Sequence, residues 1–396
     1  MKTALLALAS AAAIAVAAPA AAQDDVKLGV LLAFTGPLES LAPSIADGAE
    51  LAAKEISDSG QFMNGATVTP VRGDSTCIDA GAATAAGERL VTSDGVAAIV
   101  GAMCSGATSA VLQNVGIPNG IVMISPSATS PALTNVEDNG LFFRTAPSDA
   151  RQGEIIADML SERDISEVAL TYTNNDYGKG LADSIASAFE AKGGTITINA
   201  AHEDGKGDYS AEVAALAAAG GELLVVAGYL DQGGKGIIQA SLDSGAFDTF
   251  LLPDGMVGDA LVAAIGDDLD GSFGVLPGSD SDGAGVYAKL AEEAGFTPGV
   301  YSGEAYDAAA LILLAMQAAQ STESADFKGK IMDIANAPGE KILPGELGKA
   351  LELIANGQDV DYVGATAVEL IGGGESAGSF REIEIKDGAI QTVKYR

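Results

Sequence analysis

The fold is decided by the stretch Val96-Ala97-Ala98-Ile99-Val100-Gly101-Ala102-Met103-Cys104-Ser105-Gly106-Ala107-Thr108, which runs on into Ser109 to Val115. Its apolar first part predicts a buried strand, the glycines predict a turn, and Ser109 to Val115 predicts a short helix. Further out, Val26 to Phe34 predicts another strand and Glu39 to Ser57 another helix. A repeated alternation of strand and helix implies parallel strands with helices on both faces, so the predicted class is α/β and doubly wound.

The alternation starts again after Arg144, which indicates a second sheet. Beyond Gly278 the sequence predicts three helices, and the last segments again have the pattern of strands. The predicted helices are Val286 to Ala294, Glu304 to Gln320 and Leu347 to Ala355. The helical stretch is expected to dock on the first lobe, and the final strands are expected to join the second. The prediction is a first lobe of residues 23–144 and 278–364, a second lobe of residues 145–277 and 365–396, and three hinge crossovers.

The first 22 residues have the pattern of a secretory signal peptide. Lys2 precedes an apolar run from Ala4 to Ala18, and Pro19 is followed by three alanines that end at Ala22. A membrane anchor is the alternative, but the run is shorter than the roughly 20 residues that a bilayer requires. We expect cleavage after Ala22 and a mature protein in the periplasm.

The chain has only two cysteines, Cys77 and Cys104. An isolated pair in an oxidising compartment normally forms a disulfide. A metal or redox pair is the alternative, but there is no C-x-x-C motif, and the single histidine, His202, is distant in sequence. We therefore predict a Cys77–Cys104 disulfide, no metal site and no cofactor.

The formal charge is −33, from 54 acidic and 21 basic residues. Such an excess repels polyanions over long distances, which excludes nucleic acid as a partner. We interpret the acidity as a source of solubility.

Two loops of the first lobe carry hydroxyl groups at the ends of predicted strands: Gly101 to Thr108, which contains Ser105, and Ser125 to Pro131. Ligands of open parallel sheets bind beyond the carboxyl ends of the strands, where helix N termini display backbone N–H groups. Either loop alone fits an ordinary helix cap or turn equally well. Together they predict a pocket for an anionic group.

Strand ends of the second lobe carry Tyr177, Tyr229 and Asp254. Tyrosine supplies an apolar face and a hydroxyl, and a carboxylate supplies the counter-charge of an ammonium group. Most aspartates of so acidic a chain are solvated, and we interpret Asp231 in this way. Asp254 is distinguished by its position directly after a strand.

In order and spacing, several segments together resemble the periplasmic leucine/isoleucine/valine-binding proteins: Leu28-Gly29-Val30, Thr35-Gly36-Pro37, Asp74 with Cys77, Met103-Cys104-Ser105, Ile124 to Pro131, and Asn175-Asp176-Tyr177-Gly178. The resemblance covers the whole mature chain. It implies a two-lobed, type I binding protein, not an enzyme, that closes on a branched-chain or similar small amino acid. It also implies a monomer that delivers this ligand to the permease and ATPase subunits of an ABC importer. No Walker A motif is present in the chain.

The resemblance further implies roles for single residues. Ser105 and Thr129 would hold the α-carboxylate of the ligand, and the Ser127 carbonyl and the Thr129 hydroxyl would help to hold its α-ammonium. Asp254 would neutralise the ammonium, and it stands where well-known members have the longer glutamate. Tyr177 and Tyr229 would close from the second lobe, and Met103 and Tyr301 would line the side-chain pocket. The implied ligand-binding set is Met103, Ser105, Ser127, Ala128, Thr129, Tyr177, Tyr229, Asp254 and Tyr301.

A serine hydrolase and a sensory receptor are the two alternatives to a transport protein. A serine hydrolase would need His202, but no G-x-S-x-G elbow is present for it to serve. A periplasmic sensory receptor for an amide, urea or another small amine would use the same pocket, and the sequence does not separate sensing from transport.

Overall fold

The computed structural model describes residues 25–396, and the predicted signal peptide lies outside this range. The strands are β1 Asp25–Leu32, β2 Thr67–Asp74, β3 Ala98–Gly101, β4 Met123–Ser125, β5 Phe142–Arg144, β6 Glu167–Thr173, β7 Thr195–His202, β8 Leu223–Ala227, β9 Phe250–Leu252, β10 Phe273–Pro277, β11 Glu340–Ile342, β12 Val360–Tyr362, β13 Leu370–Ile371, β14 Glu375–Ser376, β15 Phe380–Lys386 and β16 Ala389–Tyr395. The helices are α1 Ala42–Asp58, α2 Ala80–Glu88, α3 Ser105–Val111, α4 Ile117–Asn119, α5 Asp149–Glu162, α6 Asp176–Ala191, α7 Ser210–Ala219, α8 Gly233–Ser244, α9 Asp259–Ile265, α10 Asp282–Ala294, α11 Ser302–Ala319, α12 Ser324–Ala335 and α13 Leu347–Ala355. Across residues 25–396, no helix is both long and apolar enough to cross a membrane.

The first lobe is built on a parallel sheet with the strand order β2-β1-β3-β4-β5. All four residues of β3 are buried, as expected of an apolar strand covered on both faces. Because β1 lies between β2 and β3, the chain crosses over in opposite directions on its two sides. This reversal leaves a crevice beyond the carboxyl ends of β1 and β3, where ligands of such sheets bind.

The second lobe is built on a seven-stranded sheet with the order β16-β15-β10-β9-β8-β6-β7. Strands β6 to β10 are parallel, and β15 runs antiparallel to both β10 and β16. The direction of crossover reverses around β6, which lies between β7 and β8. The loops after β6 and β8 therefore border the crevice of this sheet. The two sheets confirm the predicted two-lobed α/β fold.

Helix α11 is the central helix of the first lobe. Its residues are buried from Glu304 to Gln317, and it packs against α1, α12, α13 and strands β3 and β4. A helix whose residues are mostly apolar on every side is buried in this way. Four helices follow Gly278 where the sequence predicts three, because α12 was not expected. The buried residues Phe327, Ile331 and Ile334 of α12 recur at the three- and four-residue spacing of one helix face.

The last crossover between the lobes lies close to Ser379, whose carbonyl accepts a hydrogen bond from the Gly278 N–H at 3.0 Å. Before it, the β13–β14 hairpin contacts the first lobe, since the Arg144 N–H donates to the Gly374 carbonyl at 3.0 Å. Leu370 is likewise bonded to the Asn336 side chain. We propose that the boundary predicted after residue 364 instead follows Ser376.

Candidate binding site between the lobes

A small cavity lies where the carboxyl ends of the two sheets meet. Both lobes contribute to its wall. The lining residues are Leu38, Leu41, Met103, Cys104, Ser105, Ser127, Tyr177, Tyr229, Asp254, Gly255 and Tyr301. The structure thus brings together seven of the nine predicted ligand-binding residues, which are Met103, Ser105, Ser127, Tyr177, Tyr229, Asp254 and Tyr301.

The other two predicted residues, Ala128 and Thr129, are fully buried and do not line the cavity. The Ala128 carbonyl accepts a hydrogen bond from Arg144 Nη1 at 3.1 Å. The Thr129 hydroxyl oxygen lies 2.9 Å from Asp149 Oδ2. Both residues therefore lie behind the cavity wall, and Thr129 is bonded to an acid that the sequence analysis did not select.

The turn after β3 directs Ser105 into the cavity. Gly101 has a φ of 138°, and a Cβ atom on it would lie 2.3 Å from the Leu31 carbonyl oxygen, so only glycine fits there. Ser105 is the first residue of α3, and its Oγ accepts a hydrogen bond from the Ser130 N–H at 3.1 Å. Its own hydroxyl proton remains available to donate to an acceptor in the cavity.

Asp254 is the central acid of the second-lobe wall and is 2% exposed. The hydroxyl of Tyr177 and Nε2 of Gln152 each donate to Asp254 Oδ1 at 2.9 Å, and the Tyr301 hydroxyl donates to Oδ2. Tyr301 follows α10 in the chain, so its bond to Asp254 crosses between the lobes. Tyr301 was predicted to line the side-chain pocket. It borders the cavity, and its hydroxyl also contacts the acid expected to hold the ligand's ammonium.

Two tyrosines of the second lobe form a stacked pair against Asp254. The ring centroids of Tyr177 and Tyr229 are 5.2 Å apart, and the angle between the two ring planes is 8°. Tyr177 is at the start of α6, which Asn175 caps by accepting from the Gly178 N–H at 3.0 Å. Tyr229 follows β8. The two loops at the crossover reversal of the second sheet thus supply this wall.

A second buried acid, Asp149, lies behind the cavity at the start of α5 and is fully buried. Gln152, one turn further along α5, donates through Nε2 to Asp149 Oδ1 at 3.2 Å and to Asp254 Oδ1 at 2.9 Å. Its Oε1 accepts from the Asp254 N–H at 3.2 Å. Gln152 therefore bridges the two carboxyl groups and fixes the position of Asp254.

Burial raises the pKa of Asp149 well above its ordinary value, and the charge of Asp254 raises it further. The hydrogen bond with Thr129 and the charge of Arg144 act in the opposite direction. Burial also raises the pKa of Asp254, while hydrogen bonds from Tyr301, Gln152 and Tyr177 favour its charged form. Two carboxyl groups that share one buried site are not both readily ionised.

Arg144, at the end of β5, is completely buried and uses all five of its N–H donors. It binds both oxygens of Glu375, at 3.1 and 2.6 Å, and the hydroxyl of Thr134 at 2.8 Å. Its remaining two donors bind the carbonyls of Ala128 and Ser130 at 3.1 and 2.9 Å. Arg144 thus holds the Ser125–Pro131 loop in place, and no donor remains for Asp149.

Asp231 connects the lobes at the mouth of the cavity. Its Oδ2 accepts from the Ser40 N–H at 3.0 Å, and its own N–H donates to the Pro37 carbonyl at 3.1 Å. The interpretation of Asp231 as an acid bonded only to solvent is therefore wrong. This contact could not be predicted from local sequence patterns, because the bonded residues are 191 positions apart.

The predicted disulfide joins Cys77 to Cys104, with the two Cα atoms 5.2 Å apart. It connects the loop after β2 to the residue that precedes α3. His202, which a hydrolase would need, is buried with Nδ1 2.9 Å from the Thr171 hydroxyl, and burial lowers its pKa to about 4. It does not line the cavity.

The family of the chain follows from its similarity to known proteins. The family model described as Periplasmic binding protein matches residues 25–340. The chain belongs to the periplasmic binding protein family. This confirms the resemblance on which the residue roles were based.

Among its relatives, the Leu/Ile/Val-binding protein homolog 1 of Brucella melitensis biotype 1 is 30% identical over 351 residues, which are 84% of this chain and 92% of the relative. A leucine-binding protein from Thermotoga maritima has a similar structure, with a TM-score of 0.78 and 19% identity, covering 93% of this chain and 98% of that one. A solute-binding protein from Rhodopseudomonas palustris was solved with p-hydroxybenzoic acid. It has a TM-score of 0.77 and 16% identity, and the similarity covers 94% of this chain and 97% of that one. The fold of this binding protein is thus shared by proteins with chemically different ligands.

Proposed function

We propose that this protein is the periplasmic substrate-binding component of an ABC importer for a branched-chain or similar small apolar amino acid. The observation that carries the proposal is the environment of Asp254. This buried acid faces an interlobe cavity, and its hydrogen-bonding partners are the neutral groups of Tyr177, Tyr301 and Gln152. A buried carboxylate without a cationic partner is costly, and a ligand ammonium would neutralise it.

The opposite wall has the chemistry for the carboxylate of the same ligand. The Ser105 hydroxyl and the N terminus of α3 face the cavity from the first lobe. Hydroxyl and backbone N–H donors stabilise an anion at such a position. A zwitterion placed between the walls would pair its ammonium with Asp254 and its carboxylate with these donors.

The remaining wall is apolar and accounts for the proposed side-chain preference. Leu38, Leu41 and Met103 border the cavity. These side chains offer no hydrogen bonds, so a polar ligand side chain would lose its contacts with water there. The names of relatives such as the Leu/Ile/Val-binding protein homolog 1 point to the same class of ligand.

An aromatic acid fits this cavity less well, although a protein of the same fold was solved with p-hydroxybenzoic acid. Such a ligand has a carboxylate but no ammonium. Its binding would leave Asp254 without a counter-charge and would add a second negative charge to the closed site. The two buried acids therefore favour an amino acid.

The mechanism requires no covalent chemistry. A ligand that contacts Asp254 on one lobe and Ser105 on the other binds the closed form better than the open form and shifts the population to it. The closed form would then present the ligand to the permease and ATPase subunits. We further propose export by the signal peptide that ends at Ala22 and a monomeric mature protein.

A thermal-shift panel on protein stripped of bound ligand by unfolding and refolding tests the function. Leucine, isoleucine and valine should raise the melting temperature, whereas urea, acetamide and p-hydroxybenzoate should not. Stabilisation by p-hydroxybenzoate or by an amide, and by no amino acid, would overturn the proposal.

A further inference from the structure

We propose that Asp149 is a positioning residue that carries a proton in the folded protein at neutral pH, so that the negative charge of the two buried acids is on Asp254, where the ligand's ammonium would bind, and the Thr129 hydroxyl behind the cavity wall keeps its own proton free to donate. The part that concerns the ligand rests on the proposed function. The part that concerns the proton rests only on the geometry of the buried acids.

Among residues 25–396, no cation is hydrogen-bonded to the carboxyl group of Asp149. The nearest candidate is Arg144, but its five N–H donors are committed to Glu375, Thr134 and two carbonyls. Within residues 25–396, the carboxyl group of Asp149 is bonded only to the neutral side chains of Thr129 and Gln152. Removal of a charge from water with only two neutral partners is unfavourable, and such a group takes up a proton instead.

Asp149 also has an acidic neighbour, Asp254. Gln152 Nε2 is bonded to Asp149 Oδ1 and Asp254 Oδ1 together, so the two carboxyl groups flank one amide nitrogen. Like charges at this separation in a buried site disfavour double ionisation. Asp254 receives three donors against two for Asp149, and it alone borders the cavity where an ammonium would bind. The negative charge therefore resides on Asp254 and the proton on Asp149.

The other groups that face Asp149 do not reverse this assignment. The phenols of Tyr177, Tyr229 and Tyr301 are neutral, and burial raises the pKa of each well above its ordinary value. The N terminus of α5 favours an anion, but the effect of a helix end is smaller than the desolvation of a buried charge. Arg144 is itself paired with Glu375.

The protonation state of Asp149 decides what Thr129 can do. If Asp149 were ionised, the single hydroxyl proton of Thr129 would be donated to Asp149 Oδ2 and would not be free for a ligand. With the proton on Asp149 Oδ2, the acid donates to Thr129 Oγ1 instead. Thr129 then keeps its own proton for an acceptor, and no bond is broken in the exchange.

Infrared difference spectroscopy tests the proton directly. The spectrum of the parent protein minus that of Asp149→Asn, at pH 7 with and without leucine, should contain the carbonyl band of a protonated carboxylic acid. The matched variant Glu190→Gln, at an exposed position of α6, should show only a carboxylate in the same subtraction. A difference spectrum of Asp149→Asn that contains only carboxylate bands would overturn the proposal. The band decides the protonation state even if leucine does not bind.

Binding measurements separate positioning from a merely structural role. Asn is neutral and can donate to Thr129, so Asp149→Asn should bind leucine within about fivefold of the parent, whereas Asp149→Ala should lose tenfold or more. If Asp149 instead held the ammonium as an anion, Asp149→Asn would lose as much affinity as Asp254→Asn. If the Asp149 variants do not fold, the infrared spectrum of the parent protein is measured instead, with its aspartate carboxyl groups labelled with carbon-13. The measurement is made at pH 8, because Asp307, whose pKa is raised by burial to about 6, is ionised there. Absence of a labelled acid band in that sample would equally overturn the proposal.

Discussion

At the scale of single residues, Asp254 is the side chain on which recognition of the ligand depends. Its carboxylate is buried, and three neutral donors hold it at the cavity surface. Loss of one partner of a desolvated charge pair typically costs about 2 to 5 kcal/mol. Asp254→Asn should therefore weaken leucine binding roughly 30-fold to several thousand-fold.

Titration calorimetry checks this expectation, with Glu190→Gln as the control. That substitution makes the same change from carboxylate to amide on the exposed face of α6 and should leave the affinity unchanged. Equal affinities of the Asp254→Asn and Glu190→Gln variants would show that the ammonium is held elsewhere.

The sequence was sufficient to select Asp254, Tyr177 and Tyr229, because each follows the end of a strand in a chain with a clear strand–helix rhythm. It was not sufficient for Asp149 and Gln152. These residues are in the first turn of α5, where an acid is usually a solvated helix-end charge. Only the packing of α5 against the loop after β9 makes them buried partners of Asp254.

At the scale of structural elements, the Pro37–Ser40 and Tyr229–Asp231 loops form a contact across the mouth of the cleft. Asp231→Ala removes the acceptor of the Ser40 N–H and leaves the backbone bond to Pro37 intact. One hydrogen bond of this kind contributes about 1 kcal/mol, so the closed form should become less favourable and leucine binding about fivefold weaker.

Calorimetry measures this change, and small-angle scattering at saturating leucine should still show the compact form. Asp243→Ala, which removes an exposed acid of α8, is the matched control. An affinity of Asp231→Ala equal to that of the control would mean that the loop contact does not stabilise closure.

The disulfide connects two further elements, the loop after β2 and the start of α3. Closure of a loop of this size stabilises the fold by about 3 to 4 kcal/mol in the chain-entropy model. The double variant Cys77→Ser, Cys104→Ser should be less stable by that amount in urea, and a reductant should lower the stability of the parent to the same value. Free thiols that react in the native parent protein would contradict the bond.

Element boundaries show where pattern reasoning was limited. Strands β3 and β8 are short apolar runs between turns, a pattern that is clear in the sequence. The β13–β14 hairpin was not predicted, because each of its strands has only two residues, which is too short for an alternation to be visible. Its position is determined by the ion pair of the buried Arg144 with the partly buried Glu375, a contact between residues 231 positions apart.

At the scale of the whole molecule, Glu304 links stability to pH. It is 5% exposed in α11, and burial raises its pKa from 4.5 to about 7, with a further increase from the charge of Asp307 and a decrease from Arg381. Below pH 4.5 the Glu304 carboxyl is protonated in the folded and the unfolded state, so its titration does not change the free energy of unfolding. As pH rises, the unfolded state loses the proton first, so the native state loses about 3 kcal/mol of stability by the time pH passes 7.

Urea unfolding across this pH range tests the assignment. Glu304→Gln should unfold at a similar urea concentration to the parent protein at pH 4.5, and it should be more stable by up to about 3 kcal/mol at pH 8. Glu293→Gln, on the exposed face of α10, should follow the parent protein throughout. A constant difference between Glu304→Gln and the parent at all pH values would rule out a titrating Glu304.

The central claim is that the closed cavity recognises the ammonium and the carboxylate of one ligand at the same time. Titration calorimetry with leucine, 4-methylpentanoate and leucinamide tests it most directly, because the second compound lacks only the ammonium and the third only the carboxylate charge. The account predicts that leucine binds at least roughly 30-fold more tightly than either analogue, since each leaves one wall of the cavity without its partner. Binding of 4-methylpentanoate as tightly as leucine would contradict it.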